Sequence, residues 1–205
     1  GKSAYSVNYD GTFETSSSGP SIFSTMDAAE EFSVSLWFKV DNEAGTRYLF
    51  ASGGGGTSSF YIRKRSDHLL EMAYAIDGTY MNLQSTKTVK IKDGWTNLVI
   101  TKPANAASGN VKFYFNGIED TLSIQNDNLS GSATSGDFFI GSLSAGSPSF
   151  FRGSIDNVAI FDAELTALQA LNIYNGGVPR SLEGHANIVN WWPMGDGDVY
   201  PTLLD

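Results

Sequence analysis

The sequence of 205 residues contains no cysteine, which excludes a disulfide framework and any metal site built on thiolates. Positive charge is also scarce, because 13 Lys and Arg stand against 22 Asp and Glu, for a formal net charge of −9. A nucleic-acid-binding protein normally carries a basic patch, and the sequence shows none. No apolar run approaches the roughly 18 residues that a membrane-spanning helix needs. We therefore expect no nucleic-acid partner and no membrane insertion.

Signatures of common catalytic sites are missing as well. The two histidines, His68 and His185, are isolated, and no serine lies in a nucleophile-elbow motif. Retaining glycosidases hold two carboxylates about 5 Å apart, as alternate positions on one strand would. The acidic pairs of this sequence have other spacings or fall at strand ends and in loops: Glu30–Glu31, Glu119–Asp120, and Asp162 with Glu164. We therefore predict that the protein is not an enzyme.

Short segments with alternating apolar and polar residues are abundant instead. The clearest is Phe32–Val40, in which every second residue is apolar, as in a half-buried antiparallel strand. Asn116–Gly117 lies between two such segments and predicts a type I′ hairpin. Turn-forming residues separate many further short strands at near-regular spacing. The pattern predicts an all-β protein, an antiparallel β-sandwich with one short helix.

That helix is predicted over residues 167–175. Thr166 and Gln169 have the spacing of a capping box, and Gly176–Gly177 provides a stop. Its packed stripe is predicted to consist of Leu168, Leu171 and Tyr174.

A strand over residues 155–161 is predicted just before the helix. Strict alternation places Asp156 on one face with Val158 and Ile160. A carboxylate buried on that face would need a hydrogen-bond or metal partner. The alternative is a β-bulge that turns the carboxylate outward.

Five segments resemble, in this order, the laminin-G-like jelly-roll domains of the concanavalin A-like superfamily: YSVNYDGTFE, FSVSLWFKV, DGWTNLVITK, VKFYFNGIED and GSIDNVAIFD. Together with the leucine, the short helix and the Gly176–Gly177 stop that follow the last segment, they cover roughly residues 4–177, so we assign residues 1–177 to a sandwich made of two curved sheets. Residues 178–205, with VPRSLEGHANIVNWWPMGDGD, resemble tails that follow such domains in large proteins of marine bacteria and their phages. This tail either continues into further polypeptide or docks on a partner or on the sandwich. Removal of residues 181–205 is then expected to leave a folded sandwich.

The resemblance also implies a metal. A structural Ca²⁺ is common in the family, where the turn after the first strand meets the last strand. The matching positions here are Asp10, in YDG, and Asp156, in SIDN. Calcium suits oxygen ligands, and no cysteine favours a softer metal. The alternative is that Asp156 only accepts hydrogen bonds from backbone amides of the Asp10–Gly11 turn.

Aromatic side chains that stack on sugar rings are the remaining candidates for a site. Tyr61, Tyr74, Tyr80 and Trp95 lie on or beside predicted strands and could line a groove. Ordinary packing in the core is the alternative for each of them.

Proteins with a fold of this kind have many different functions, so the fold alone does not identify the function of this one. The sequence favours a non-catalytic adhesion module that binds a glycan or another extracellular ligand through loops at one edge of the sandwich. The first alternative is a structural protein of a phage virion (decoration, tail or fibre) or of a cell surface, docked on neighbouring subunits. A glycoside hydrolase is the weaker alternative. Localisation is expected to be extracellular or on a virion surface.

Overall fold

The computed structural model of the protein describes residues 7–9, 28–52, 58–105, 108–132, 138–144 and 148–194. The strands in these ranges are β1 Val7–Tyr9, β2 Phe32–Val40, β3 Arg47–Ser52, β4 Ser58–Lys64, β5 Leu69–Ile76, β6 Thr79–Thr88, β7 Thr96–Lys102, β8 Lys112–Phe115, β9 Ile118–Asp120, β10 Leu122–Asp127, β11 Phe138–Ile140, β12 Gly153–Phe161 and β13 Ile188–Trp192. The α-helix α1 is Ala167–Tyr174. No helix in these ranges is long and apolar enough to cross a membrane.

The strands form two antiparallel sheets. One has seven strands in the order β1-β12-β2-β7-β8-β9, with β13 also paired to β12. The other has six strands in the order β10-β6-β5-β4-β3-β11. Apolar side chains from the facing sides of both sheets meet in one core, which includes Phe32, Phe60 and Phe113. The predicted antiparallel β-sandwich with one short helix is confirmed.

Strand β2 is more deeply buried than its alternation predicts. All five apolar residues of its predicted inner face lie in the core. The opposite face is covered as well, since Ser33, Ser35 and Trp37 are buried. The Ser33 hydroxyl donates to the carbonyl of Ala163 (2.7 Å) and accepts from the N–H of Leu165 (3.0 Å). The covering segment is therefore the one that leads into α1.

Helix α1 begins and ends close to the predicted positions. The N–H of Gln169 donates to Oγ1 of Thr166 (3.2 Å), and the N–H of Thr166 donates to Oε1 of Gln169 (2.8 Å). These two bonds are the predicted capping box. The helix ends at Asn175, whose φ of 47° is left-handed, directly before Gly176. Local sequence signals therefore set both ends.

The predicted buried stripe of α1 is wrong in two of its three residues. Leu168 and Leu171 are 66% and 48% exposed, whereas Ala170 and Ile173 pack on the sheet. Tyr174 does pack, with its ring stacked 5.8 Å from the tryptophan ring of β2. Leu168 with Leu171 and Ala170 with Ile173 both have i, i+3 spacing, so the sequence pattern alone does not show which pair is buried. The direction in which the chain leaves β12 decides which pair faces the sheet.

Strict alternation also fails in β12. Asn157 has a left-handed φ of 51°, and the register against β2 shifts between Asp156 and Ala159. The extra residue forms a β-bulge. Ile155 and Val158 therefore both face the core, while Asp156 lies on the outer side, opposite the tryptophan of β2. The predicted grouping of Asp156 with Val158 is wrong, and the strand has the bulged form.

Glycine is required by geometry at two positions. Asn116 and Gly117 have φ values of 53° and 76°, which confirms the predicted type I′ hairpin between β8 and β9. At Gly153 the backbones of β12 and β2 approach so closely that a Cβ would lie 1.9 Å from the carbonyl oxygen of Lys39. Only glycine allows this approach without a backbone shift.

The segment after the helix returns to the sandwich, where β13 pairs with β12. Trp192 is 1% exposed, and the centroid of its ring lies 4.7 Å from that of Phe138 in the core. Met194 is buried in the same core. Trp191 is on the opposite face, where its Nε1–H donates to Oδ1 of Asn157 (2.5 Å). The domain boundary at residue 177 stays a prediction, and these are the contacts that a truncation would remove.

Candidate functional site

The outer faces of the two sheets differ in what covers them. Helix α1 and the segment before β13 pack on the seven-stranded sheet, through a second apolar cluster that includes Phe161, Leu165 and Leu182. Within the described residues, no α-helix packs on the six-stranded sheet, although the 3₁₀ turn Ser108–Asn110 contacts β6 and β10 at its edge. Its outer face carries aromatic and polar side chains, so it is the candidate surface for a ligand.

Strand pairing arranges these side chains in two rows across β3, β4, β5 and β6. The first row consists of Tyr48, Arg63, Glu71 and Gln84. The second row consists of Ala51, Tyr61, Ala73 and Asn82. We call Tyr48, Tyr61, Arg63, Glu71 and Gln84 the tyrosine–arginine platform. Because alanines stand on both sides of Tyr61, no large side chain flanks its ring within its own row.

The Arg63 guanidinium is fixed between two aromatic rings. Its carbon lies 4.9 Å from the ring centroid of Tyr61 and 5.7 Å from that of Tyr48. The two rings are 5.3 Å apart and nearly perpendicular, at 77°. Nη1 of Arg63 also donates to the Tyr48 hydroxyl (3.0 Å). Cation–π contact and the hydrogen bond together hold the guanidinium in one position.

Glu71 is the anchor of the platform, with only 1% of its surface exposed. Its Oε1 lies 2.5 Å from Nη2 of Arg63 and accepts from the Tyr61 hydroxyl (3.3 Å). Its Oε2 accepts from Nη1 of Arg65 (2.8 Å) and Nε2 of Gln84 (3.0 Å). Four donors therefore satisfy a carboxylate that would be costly to bury alone.

The Tyr61 phenol is strongly affected by this environment. Burial raises the pKa of Tyr61 to about 12; the positive charge of Arg63 opposes the increase, and the negative charge of Glu71 adds to it. The phenol therefore stays protonated well above neutral pH and remains a donor to Glu71. The pKa of Tyr61 in the folded protein lies above the ordinary value of 10.0, so the protonated phenol favours the folded state. That stabilisation is fully present below about pH 10 and is lost as the pH rises to about 12.

Two polar atoms near Tyr61 have no hydrogen-bond partner among the described residues. They are Nε of Arg63, a donor, and Oδ1 of Asn82, an acceptor. Unused capacity of this kind can be satisfied by water or by a polar ligand. The platform and the adjoining Asn82 thus combine an aromatic ring with one unpaired donor and one unpaired acceptor.

The structure separates the four aromatic residues predicted to line a groove. Tyr61 lies on the platform, and Tyr80, 48% exposed, lies on β6 on the same outer face. Trp95 is 37% exposed but directly precedes β7 of the other sheet. Tyr74 is fully buried in the core, with its ring 5.8 Å from that of Phe60. The assignment of Tyr74 to a groove is therefore wrong, because its side chain faces the interior of the sandwich.

Most of the platform was missed by reasoning from the sequence. Tyr48, Arg63 and Gln84 belong to no recognisable motif. Glu71 could have been recognised from the sequence, because it lies between Leu70 and Met72 in a strongly apolar strand. An acid in such a strand needs a charged or hydrogen-bonding partner.

The two predicted calcium ligands are described unequally. Asp156 is 5% exposed, on the outer side of the bulge in β12, and Asp10 lies outside the described residues. β1 ends at Tyr9, which pairs with Gly153, about 10 Å along the strand from Asp156. The described part of the chain contains no group of three or more His, Asp or Glu residues that could hold a metal ion. Calcium at Asp156 stays a prediction.

A cleft of about 390 Å³ lies at the edge of the sandwich, between the β8–β9 hairpin and β10. Its charged residues are engaged with one another or with the backbone. Nζ of Lys112 donates to Glu119 (2.8 Å), and Asp120 accepts from the N–H of Thr86 (2.8 Å). No aromatic residue is among those that line it. The platform is therefore the better candidate site for a sugar.

Comparison with known proteins agrees with the fold. A family model described as the concanavalin A-like lectin/glucanases superfamily matches residues 11–170. The CBM40 domain of the Ruminococcus gnavus IT-sialidase, bound to α2,3-sialyllactose, has a TM-score of 0.58 at 16% identity, over 85% of this chain and 100% of that one. Domain 4 of AbnA, a GH43 extracellular arabinanase from Geobacillus stearothermophilus in complex with arabinotriose, has a TM-score of 0.56 at 21% identity, over 72% of this chain and 69% of that one.

A third similar structure is the binding domain of botulinum neurotoxin DC in complex with rat synaptotagmin II. Its TM-score is 0.58 at 18% identity, over 76% of this chain but only 37% of that one. No curated protein sequence matches the chain. At these identities the similar structures show the fold alone, whereas the family model covers most of the sequence. The chain therefore belongs to the concanavalin A-like lectin/glucanases superfamily.

Proposed function

We propose that the protein is a non-catalytic, extracellular glycan-binding module whose ligand lies on the tyrosine–arginine platform. The observation that carries this proposal is the position of Tyr61, between two alanines and beside a fixed guanidinium, on the sheet that the helix leaves uncovered. A pyranose ring can stack its C–H face on such an aromatic ring, while its hydroxyls hydrogen-bond to neighbouring guanidinium and amide groups. The proposed site is thus a sheet face, whereas the sequence favoured loops at one edge.

The charges of the platform suit a polar ligand without net charge. Arg63 and Arg65 are balanced by Glu71 and by Asp67, which lies 3.0 Å from Arg65. No excess of either sign remains on the platform itself. Both oxygens of Glu71 are already engaged by donors, which leaves this carboxylate poorly placed to act as a general acid or nucleophile.

The similar structures support a binding role in general terms. Two of them are named as complexes with oligosaccharides, sialyllactose and arabinotriose, and one as a complex with a protein, synaptotagmin II. The arabinanase is named as extracellular. A glycan is favoured over a protein ligand here because the platform is a small, aromatic and hydrogen-bonding surface.

Replacing Tyr61 by alanine is expected to weaken glycan binding about tenfold or more, because the central aromatic contact is lost. The measurement is a glycan-array screen of the wild-type protein, followed by titration of the best ligand into both proteins. Circular dichroism should show that the variant remains folded.

Trp95→Ala is the matched control, because Trp95 is an exposed aromatic residue outside the six-stranded sheet. It should bind the same glycan with unchanged affinity. Binding to no glycan at all, or a loss of affinity in Trp95→Ala but not in Tyr61→Ala, would contradict the proposal.

We also propose, as a separate matter, that Asp156 contributes to a structural Ca²⁺ site. A buried carboxylate on a bulged strand supports it, and calcium would add only structural support through oxygen ligands. A metal that binds only the folded protein must raise its melting temperature. EDTA should therefore lower the melting temperature of the wild-type protein, and Asp156→Ala should remove this dependence. If millimolar Ca²⁺ and EDTA give the same melting curve, Asp156 has only a hydrogen-bonding role.

A further inference from the structure

The outer face of the six-stranded sheet continues beyond the platform in a third row of side chains. Strand pairing places Ser59 of β4, Ala75 of β5 and Tyr80 of β6 side by side. These residues alternate along their strands with core residues such as Phe60 and Ile76, so they lie on the same face as the platform. The candidate surface therefore extends along the strands toward the β5–β6 turn.

The middle strand of this surface carries small side chains between larger neighbours. On β5, Ala73 and Ala75 lie between Tyr61 on β4 and Tyr80 on β6. We call the space above these two alanines the β5 channel. Its bordering strands, β4 and β6, are about 10 Å apart, which is twice the spacing of neighbouring strands. This width suits a single sugar chain that runs along β5.

One end of the β5 channel is closed by side chains that meet on Glu71. Arg63 from β4 and Gln84 from β6 both bind its carboxylate, so they bridge the middle strand from its two sides. Arg65 and the hydroxyl of Tyr61 complete this bridge. Because Glu71 is only 1% exposed beneath these groups, a ligand in the channel cannot continue along β5 in this direction.

Exposure rises along β5 with distance from the bridge. Ala73 is 8% exposed, Ala75 is partly exposed, and Asp77, in the turn that follows, is fully on the surface. Gly78 beside it is exposed as well. The β5 channel therefore has a closed end at the platform and an open end at the β5–β6 turn.

Tyr61 offers one ring face to the channel. Arg63, two residues further along β4, covers the other face, with its guanidinium carbon 4.9 Å from the ring centroid. The free face is therefore directed away from Arg63, on the side of Ser59. Since serine and alanine side chains are small, a sugar stacked on this face would lie in the β5 channel.

Tyr80 is a second aromatic contact, near the open end. It is 48% exposed. Its N–H donates to Oδ1 of Asn128 (2.8 Å), and its carbonyl accepts from the N–H of Asn128 (2.9 Å), so its backbone is held between β5 and this residue. Tyr80 lies two strands across and two residues along the sheet from Tyr61, which places their Cα atoms about 12 Å apart. This separation is close to the length of a disaccharide.

We propose that the β5 channel binds the end of a glycan chain, with the terminal sugar on Tyr61 and the next sugar at Tyr80. This assignment rests on the proposed function and names the part of the glycan that is recognised. A channel closed at one end accepts a chain end, whereas an internal segment would have to pass through the bridge on Glu71. The rest of the glycan leaves the protein at Asp77 and Gly78. The ligand class is therefore a glycan with an uncharged disaccharide at a chain terminus.

The dependence of affinity on chain length is the first measurement. The probes are linear gluco-, xylo-, manno- and galacto-oligosaccharides, each from the monosaccharide to the hexasaccharide, titrated by calorimetry. In the series that binds, affinity should rise about tenfold from the monosaccharide to the disaccharide, because the contact with Tyr80 is added. It should then stay constant per chain for longer oligosaccharides. An affinity per chain that keeps rising with length would show binding to internal segments and would overturn the proposal.

Two blocked forms of the tetrasaccharide test whether a chain end is needed. One carries an aminobenzamide group at the reducing end, and the other carries a benzyl ether on the sugar at the non-reducing end. The form blocked at the end that enters the channel should bind at least about tenfold more weakly than the free tetrasaccharide. The other form should bind with unchanged affinity, which identifies the orientation of the glycan. Unchanged affinity of both forms would overturn the proposal.

Three variants locate the two sugar contacts. Tyr80→Ala should remove the gain from monosaccharide to disaccharide and leave the affinity for the monosaccharide unchanged, whereas Tyr61→Ala should weaken binding at every length. Ala75→Leu should fill the channel and prevent binding of the disaccharide and of longer chains. Ile124→Ala is the matched control, because Ile124 is 49% exposed on the neighbouring strand β10 but pairs with the core residue Leu83. Circular dichroism should show that each variant remains folded.

The outcomes separate this proposal from the proposed function. If Tyr61→Ala weakens binding but both blocked forms bind as well as the free tetrasaccharide, the platform is a glycan site that does not require a chain end. Equal losses in Tyr80→Ala and Ile124→Ala would overturn the contact at Tyr80 and leave the platform in place. If no oligosaccharide of any series binds, the β5 channel and the platform both fail as glycan sites.

Discussion

Replacement of Trp192 by alanine is expected to lower the free energy of unfolding by about 4 kcal/mol. Trp192 is the last residue of β13, is 1% exposed and packs against Phe138, so its removal leaves a large cavity between the two sheets. Urea unfolding followed by circular dichroism gives the value. Val189→Ala, at a position of the same strand that is 41% exposed, is the matched control and should change stability by less than about 1 kcal/mol.

Removal of residues 181–205 should have a still larger effect than the Trp192 substitution. The deletion removes the pairing of β13 with β12, and with it Trp192 and Met194 from the core. We expect a protein that is unfolded or lacks a cooperative transition, in contrast to the expectation drawn from the sequence alone. A truncated chain that melts cooperatively near the wild-type temperature would instead support a domain boundary at residue 177.

Alternation of apolar residues was sufficient to predict the fold class, because an antiparallel strand shows its buried face directly in the sequence. It failed where the backbone departs from regular geometry. The bulge at Asn157 inserts one residue and reverses the faces of the rest of β12. Asparagine tolerates a positive φ, so the Asp156–Asn157 pair inside a strand was a weak sign of the bulge.

The candidate site was harder to predict than the fold, for a reason seen in Tyr61 and Tyr74. Both are tyrosines in neighbouring strands, but Tyr74 shares its parity with Leu70, Met72 and Ile76, which places it in the core. That information was present in the sequence. Of the partners of Tyr61, Arg63 lies two residues on in the same strand, but Tyr48 and Glu71 come from β3 and β5, whose register against β4 is fixed only by the folded sheet.

Replacement of Glu71 by alanine is also expected to have a large effect, a loss of about 3 kcal/mol in the free energy of unfolding. Glu71 is 1% exposed, and its carboxylate faces Arg63 and Arg65, whose side chains are 24% and 32% exposed. Without it, Arg63 keeps its charge between two aromatic rings but loses its carboxylate partner. The partial exposure of the arginines places the expected value at the lower end of the range for buried ion pairs.

A double-mutant cycle separates this interaction from the loss of packing. Arg63→Ala in the Glu71→Ala background should lower stability much less than Arg63→Ala in the wild-type protein, because the charge it removes is no longer paired. Glu119→Ala serves as the control, since Glu119 and its partner Lys112 are 48% and 39% exposed, and such surface pairs contribute at most about 1 kcal/mol. If Glu71→Ala were no more destabilising than Glu119→Ala, the carboxylate would not be the anchor of the platform. Tyr61 and Arg63 would then have to be held in position by their ring contacts alone.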